Sequence, residues 1–411
     1  MTDVFASAFT TPVTRRTLIK RVAAAGAATW AAGTLPTLAR AAGGGNFRDF
    51  TALAPSAADE LQVPDGYAVD VIIKWGDEFG DGLRFGYNCD YSAWFPFAGK
   101  GDEGLIFVSH EYLVPFFTTD WVNTPANNAL WDPRVEPYKT PNRPYRRGMP
   151  KSEAMQLLAD GQLYVAQWLP TANDPAVDSG TGMWHPLDMS DPESCAFTTK
   201  WVEANIVPAN GGDVMQFRVP RAEDCEVLPS DRRSVLIALT SARGRPADPA
   251  AYGVVRLLQE DSIHPHSTSF RWVELLEGGE HTGLASPDNM AFSSLRELWV
   301  VTDISTSSLN HPTRGFAWHM NNAIFYVPLE GRNRNVAFRF ANAPVEAELT
   351  GPTFNHQQRT LFLNVQHPGE NSTGDPANPM DYRSWWPEGD RDAETGTPGK
   401  PKPSLVAIRK L

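Results

Sequence analysis

Cysteine is scarce in this chain: three in 411 residues, Cys89, Cys195 and Cys225, with no C-x-x-C pair. That excludes a zinc ribbon, a thioredoxin-type redox motif and a disulfide framework. Basic charge is also short, with 36 Lys+Arg against 48 Asp+Glu. Residues 1–41 hold five of the basic groups (Arg15, Arg16, Lys20, Arg21, Arg40) and one acid (Asp3), so the formal charge of −12 becomes −16 over the remainder. Such a surface repels polyanions, which argues against nucleic acid or an anionic membrane as partner and suits carboxylate sites for hard cations. Long apolar runs are missing. The best candidate, residues 22–38, is Ala-rich and shorter and less apolar than a membrane span. Missing too are a G-x-S-x-G elbow, H-E-x-x-H and a G-x-x-x-x-G-K-S/T loop.

What is present begins with an address. Thr14-Arg15-Arg16-Thr17-Leu18-Ile19-Lys20 resembles a twin-arginine export signal, and Ala39-Arg40-Ala41 reads as a small-x-small cleavage site. We therefore expect a signal peptide over 1–41, a Gly-rich linker over 42–63 and one folded domain over 64–411. The mature protein is expected in the periplasm or secreted, monomeric and without a stable membrane anchor. Export of folded cargo is a modest hint of a metalloprotein.

The mature chain reads as strands and turns. Residues 152–158 carry the one convincing helical pattern, whereas short apolar runs bounded by Gly, Pro, Asp and Asn recur throughout. Four stretches share a form: WFPFAGKGDEGLIFVSHE from Trp94, EVLPSDRRSVLIALT from Glu226, MAFSSLRELWVVTD from Met290 and PTFNHQQRTLFLNVQH from Pro352. Val227, Ala291 and Thr353 follow one another at 64 and 62 residues. A hairpin repeated at that period suggests the blades of an all-β propeller, with a two-sheet sandwich as the alternative. Strands are expected at 105–108, 235–239, 297–301 and 360–365. Two long stretches, 115–150 and 370–403, are rich in Pro, Trp and Tyr and read as packed lids.

Acidic and amide groups collect where the repeats turn: Glu111 ends one strand, Glu223 and Glu226 enter another, Asp288 and Asn289 enter a third, and Asp303 ends it. Blade ends converge on an axis, so these six are the candidate ligands of a cation that wants six to eight oxygens. Taken singly, each is equally a turn former or an ion-pair partner. His367, before Pro368-Gly369, reads as a loop-packing histidine. Arg221 adjoins the acidic run, where its guanidinium would either grip a phosphate or pair with Asp224 or Glu226. Strand alternation places Cys225 on the face of Glu223, as a small buried thiol or a substitute ligand.

Several blocks, in order, resemble the PhoX-type alkaline phosphatases. They include Pro64-Asp65-Gly66-Tyr67, Phe85-Gly86-Tyr87-Asn88-Cys89-Asp90, Ser109-His110-Glu111-Tyr112, Leu163-Tyr164-Val165-Ala166 with Gly180-Thr181-Gly182-Met183-Trp184, Arg221 to Val227, Pro287-Asp288-Asn289, and Thr350-Gly351-Pro352 with Gln366-His367-Pro368-Gly369-Glu370. The resemblance implies a six-bladed propeller with a central iron and calcium cluster, hydrolysing small phosphate monoesters in the periplasm. Glu223 matches a family metal-ligand glutamate and Arg221 the phosphate-contacting arginine. One family section is missing: the T-C-E-E segment, whose cysteine bridges two irons, occurs nowhere in the chain. Fewer than six complete blades are therefore expected, with calcium as the cation and iron left open. A calcium-dependent propeller lactonase or phosphotriesterase, and a non-catalytic periplasmic binding or scaffold protein, are the alternatives.

Overall fold

A computed structural model describes residues 47–78, 85–97, 103–111, 114–118, 164–170, 179–186, 221–240, 252–262, 269–375, 377–389 and 399–411. The export segment, the helix expected at 152–158 and Cys195 lie outside these residues. Among the described residues the chain forms sixteen strands and one four-residue helix, α1 (Pro115–Thr118), and no helix is long and apolar enough to cross a membrane.

Each of the four repeated stretches forms the leading hairpin of one antiparallel sheet. They are β2 (Cys89–Pro96) with β3 (Gly104–His110), β6 (Arg221–Val227) with β7 (Ser234–Thr240), β10 (Pro287–Ser294) with β11 (Glu297–Thr302), and β14 (Glu348–Phe354) with β15 (Thr360–Gln366). Chain order then extends the sheets outward. β12 (Ala323–Pro328) and β13 (Phe338–Asn342) complete the third, while β8 (Val254–Glu260) and β9 (Ser269–Glu277) complete the second. A further hairpin, β4 (Tyr164–Pro170) and β5 (Ser179–Pro186), adds to the outer edge of β9 and makes that sheet six-stranded. The last sheet is closed by both ends of the domain: β16 (Ser404–Lys410) lies between β15 and β1 (Tyr67–Lys74), with Tyr67 opposite Lys410. The leading strands meet in the order β2, β14, β10, β6. This is a β-propeller with four blade sheets among the described residues, and the sandwich alternative falls.

Blades packed on both faces need strands apolar on both faces, which is why the runs are continuous instead of alternating. β11 buries all six of its residues. Trp299, Phe340, Leu363 and Val406 fill the core between the third and fourth blades, and Leu236, Leu257, Leu298 and Phe325 the core between the second and third. The stretch expected to be a linker is packed from Phe47 onward. Phe47, Phe50 and Leu61 are buried beside Trp299 and Phe340, and Gln62 bridges to Asn342. Three large apolar side chains outweigh the Gly-rich start, so the domain begins ahead of residue 64. The aromatic stretch after Glu370 is packed as expected, with Tyr382 and Trp386 buried and Asp59 accepting from Ser384 Oγ and Trp385 N at 2.7 Å each.

Candidate metal and phosphate site

The four leading strands share one irregularity. Between Cys89 and Ser92, Ala222 and Cys225, Pro287 and Met290, and Thr350 and Thr353, three steps on the leading strand oppose two on its partner. Each is a one-residue bulge, a device that re-aims side chains and slips the alternation. The first bulge residue is Asp90 in β2, Glu223 in β6, Asp288 in β10 and Gly351 in β14. Glycine is required at the fourth place: its φ is +52°, and a Cβ there would stand 2.4 Å from Ser92 N. The fourth blade instead supplies Glu348, three residues earlier, opposite Gln366.

A second regularity sets the approach. Asn88 (φ 46°), Ser286 (φ 46°) and Glu346 (φ 57°) are left-handed, each two residues before an acid. Such conformations are uncommon outside glycine and cluster where a chain is steered to a site. Glu111 N donates to Asn88 O at 3.0 Å and Asp303 N to Ser286 O at 2.9 Å, so these acids hold equivalent places just beyond β3 and β11. His367 takes that place after β15, its Nδ1 3.2 Å from Glu346 O and its Nε2 3.3 Å from Glu348 Oε2.

The acids so delivered feel one another. Burial, then the charges of Glu111, Glu223 and Asp303, push Asp90 up to about 6. Burial drives Asp288 up to about 7; Asp303, Glu223 and Asp90 add to the rise and a hydrogen bond with Glu348 opposes it. Glu348 is raised well above the usual carboxylate range, chiefly by burial and by Asp303 and Asp288. Asp288 and Glu348 are buried, whereas Glu111 and Glu223 are exposed, so the ring has a deep side and an open side. Among the described residues no three His, Cys, Asp or Glu side chains stand close enough together to hold a metal ion; the acids lie within electrostatic reach of one another. Their donor chemistry fits a hard divalent cation: carboxylate oxygens, with the buried side-chain amides of Asn88 and Gln366 nearby carrying unpaired oxygens. It offers no thiolate. Cys89 is buried with its sulfur toward Val365 O, and its thiol is driven far up by burial.

Of the six candidate ligands, Glu111, Glu223, Asp288 and Asp303 come together. Glu226 does not join them. It sits with Asp224 and Tyr91, and burial followed by the Asp224 charge pushes it up to about 7. Asn289 is committed elsewhere, its Oδ1 accepting from Gly351 N at 2.8 Å and tying β10 to β14. Cys225 is an exposed free thiol beside Asp224 and Glu226; the bulge at Glu223-Asp224 breaks the alternation that had placed it with Glu223. Asp224 itself ties β6 to β10 by accepting from Met290 N at 2.6 Å. Arg221 begins β6 opposite Thr240, two residues before Glu223. Asp90 and Glu348 were not anticipated as ring acids, and His367 does more than pack a loop. Equivalence with Glu223 and Asp288 in the repeat was the signal for Asp90.

The family model for alkaline phosphatase PhoX matches residues 48–129 and 138–369. Among solved structures, the chain is similar to Pseudomonas fluorescens PhoX in complex with vanadate, a transition-state analogue, at 17% identity and a TM-score of 0.60, covering 88% of this chain and 98% of that one. No curated protein matches. A match over most of the folded domain, in a propeller whose blades deliver acids to one centre, places the chain in the PhoX alkaline phosphatase family of phosphate-ester hydrolases.

Proposed function

We propose that the protein is an exported, cation-dependent phosphoesterase acting on small phosphate monoesters. The observation that carries the reading is the repeated bulge, which brings Asp90, Glu223 and Asp288 from three blades to one space, joined there by Glu348, Glu111 and Asp303. So many acids in one space are mutually repulsive, and a centre of this composition is at rest only with positive charge in it. Asp90, Glu111, Glu223, Asp288, Asp303 and Glu348 would hold the cations, with calcium suited to the all-oxygen donor set. Bound cations supply Lewis-acid charge against the phosphoryl oxygens. Arg221, whose backbone heads the strand that bears Glu223, would hold the phosphoryl group with a charge-assisted fork. Asp288 and Glu348 are hydrogen-bonded to each other and would share a proton where no cation is held.

Hydrolysis of p-nitrophenyl phosphate, with added Ca²⁺ and with chelator, tests the reading. Turnover should need the cation. Glu223→Gln and Asp288→Asn should lose cation and turnover together. Arg221→Ala should keep the cation and weaken phosphate binding by roughly ten- to a hundredfold, the worth of one charge-assisted contact. A cation-loaded protein that hydrolyses no phosphate monoester would overturn it. Export is read from Arg15-Arg16, and changing both to Lys should retain the precursor in the cytoplasm; normal processing of that variant would remove this part of the proposal.

A further inference from the structure

Gln366 is the last residue of β15 and stands opposite Glu348. Its side chain is fully buried. Nε2 donates to Glu111 Oε2 at 2.9 Å, while Oε1, equally sealed from solvent, has no hydrogen-bond partner. A carboxylate only accepts, so Glu111 fixes which way the amide is turned: nitrogen toward the acid, oxygen away from it. A buried carbonyl oxygen left unpaired is rare in folded proteins and calls for a cause. Among the described residues no donor reaches it, and the buried amide of Asn88, whose Nδ2 is likewise unpaired, is not bonded to it. Glu111 and Glu348 are acids, and the next residue, His367, spends its two ring nitrogens on Glu346 O and Glu348 Oε2. An unpaired oxygen beside a ring of carboxylates is what a hard cation satisfies, since such ions mix charged and neutral oxygen ligands.

We infer that Gln366 is a positioning residue of the cation centre, its N–H holding the Glu111 carboxylate in the ring and its Oε1 offering a neutral oxygen to the cation gathered there. The inference rests on the cation-dependent reading above and adds an uncharged donor to it. A further carboxylate at this place would deepen the repulsion that the ring already carries.

Calorimetric titration of the full chain with Ca²⁺ after chelator treatment, with melting curves at both ends, tests it. The wild-type protein should take up Ca²⁺ and melt higher with it. Gln366→Met keeps the length and removes both amide functions; it should bind Ca²⁺ at least tenfold more weakly and lose most of the Ca²⁺-dependent rise in Tm, while its Tm in chelator stays close to wild type. Gln366→Glu restores an oxygen but sets a charge against Glu111, so it should melt lower in chelator and show a larger Ca²⁺-dependent rise than wild type. Unchanged Ca²⁺ affinity in Gln366→Met would overturn the inference and leave the cation reading standing. If that variant does not fold, Gln366→Glu decides, and a rise equal to wild type overturns the inference. A wild-type chain that takes up neither Ca²⁺, Mn²⁺ nor Fe²⁺ would overturn both.

Discussion

A carboxyl group whose proton affinity is raised by folding makes the fold weaker as it ionises. Asp90 is raised to about 6 and Asp288 to about 7, and Glu348 is also raised, all led by burial. In the unfolded chain such groups lose their protons near pH 4. The folded protein therefore holds protons that the unfolded chain has released, and the cation-free fold should lose stability as pH rises from about 4 through about 7. Melting curves in chelator should fall across that window, and excess Ca²⁺ should flatten the fall; a Tm in chelator that is level or rising would refute the linkage. The same residues show how far the sequence could be read. Glu111, Glu223, Asp288 and Asp303 were legible because they stand beside strand ends that turn signals mark. Asp90 was passed over, although Gly86 and Asn88 mark its approach, because the first repeated stretch was read from Trp94 onward. Glu348 was hidden by the left-handed turn at Glu346, a conformation that glutamate does not advertise.

Among the elements, the leading hairpins were legible and their bulges were not. Apolar runs fix where β7, β11 and β15 lie, since each is buried over nearly its whole length, whereas β3 is an apolar run that leaves Leu105 and Phe107 exposed. A bulge adds one residue without changing the run, so alternation past it fails by one place, which is why Cys225 was assigned to the face of Glu223. Asn289 gives a way to tell a strand tie from a ligand. Its Oδ1 accepts from the buried Gly351 N, so Asn289→Ala should cost about 1–3 kcal/mol through an unsatisfied amide. That loss should be the same in chelator and in Ca²⁺ by urea denaturation. A loss confined to Ca²⁺ would return Asn289 to the ligand set.

For the molecule as a whole, the decisive contact is the one that closes it. β16 is paired on both sides, with β15 and with β1, and Leu411 N donates to Gly66 O at 2.8 Å. Val406 and Ile408 are fully buried in the core that Trp299 and Phe340 share. Deleting residues 404–411 would bare two strand edges and open that core, so the truncated chain should be recovered as aggregate or should melt without a cooperative transition; a soluble, cooperative product would show that the closure is dispensable. Seen along the clock of protein synthesis, the same closure has another meaning. Tyr67 waits for Lys410, roughly 340 residues behind it, so no ribosome can release a partly made propeller that is already shut. Until that late strand arrives, β1 and β15 are sticky edges in a crowded cell, and a factor that shelters them would matter most in the moments before β16 is made.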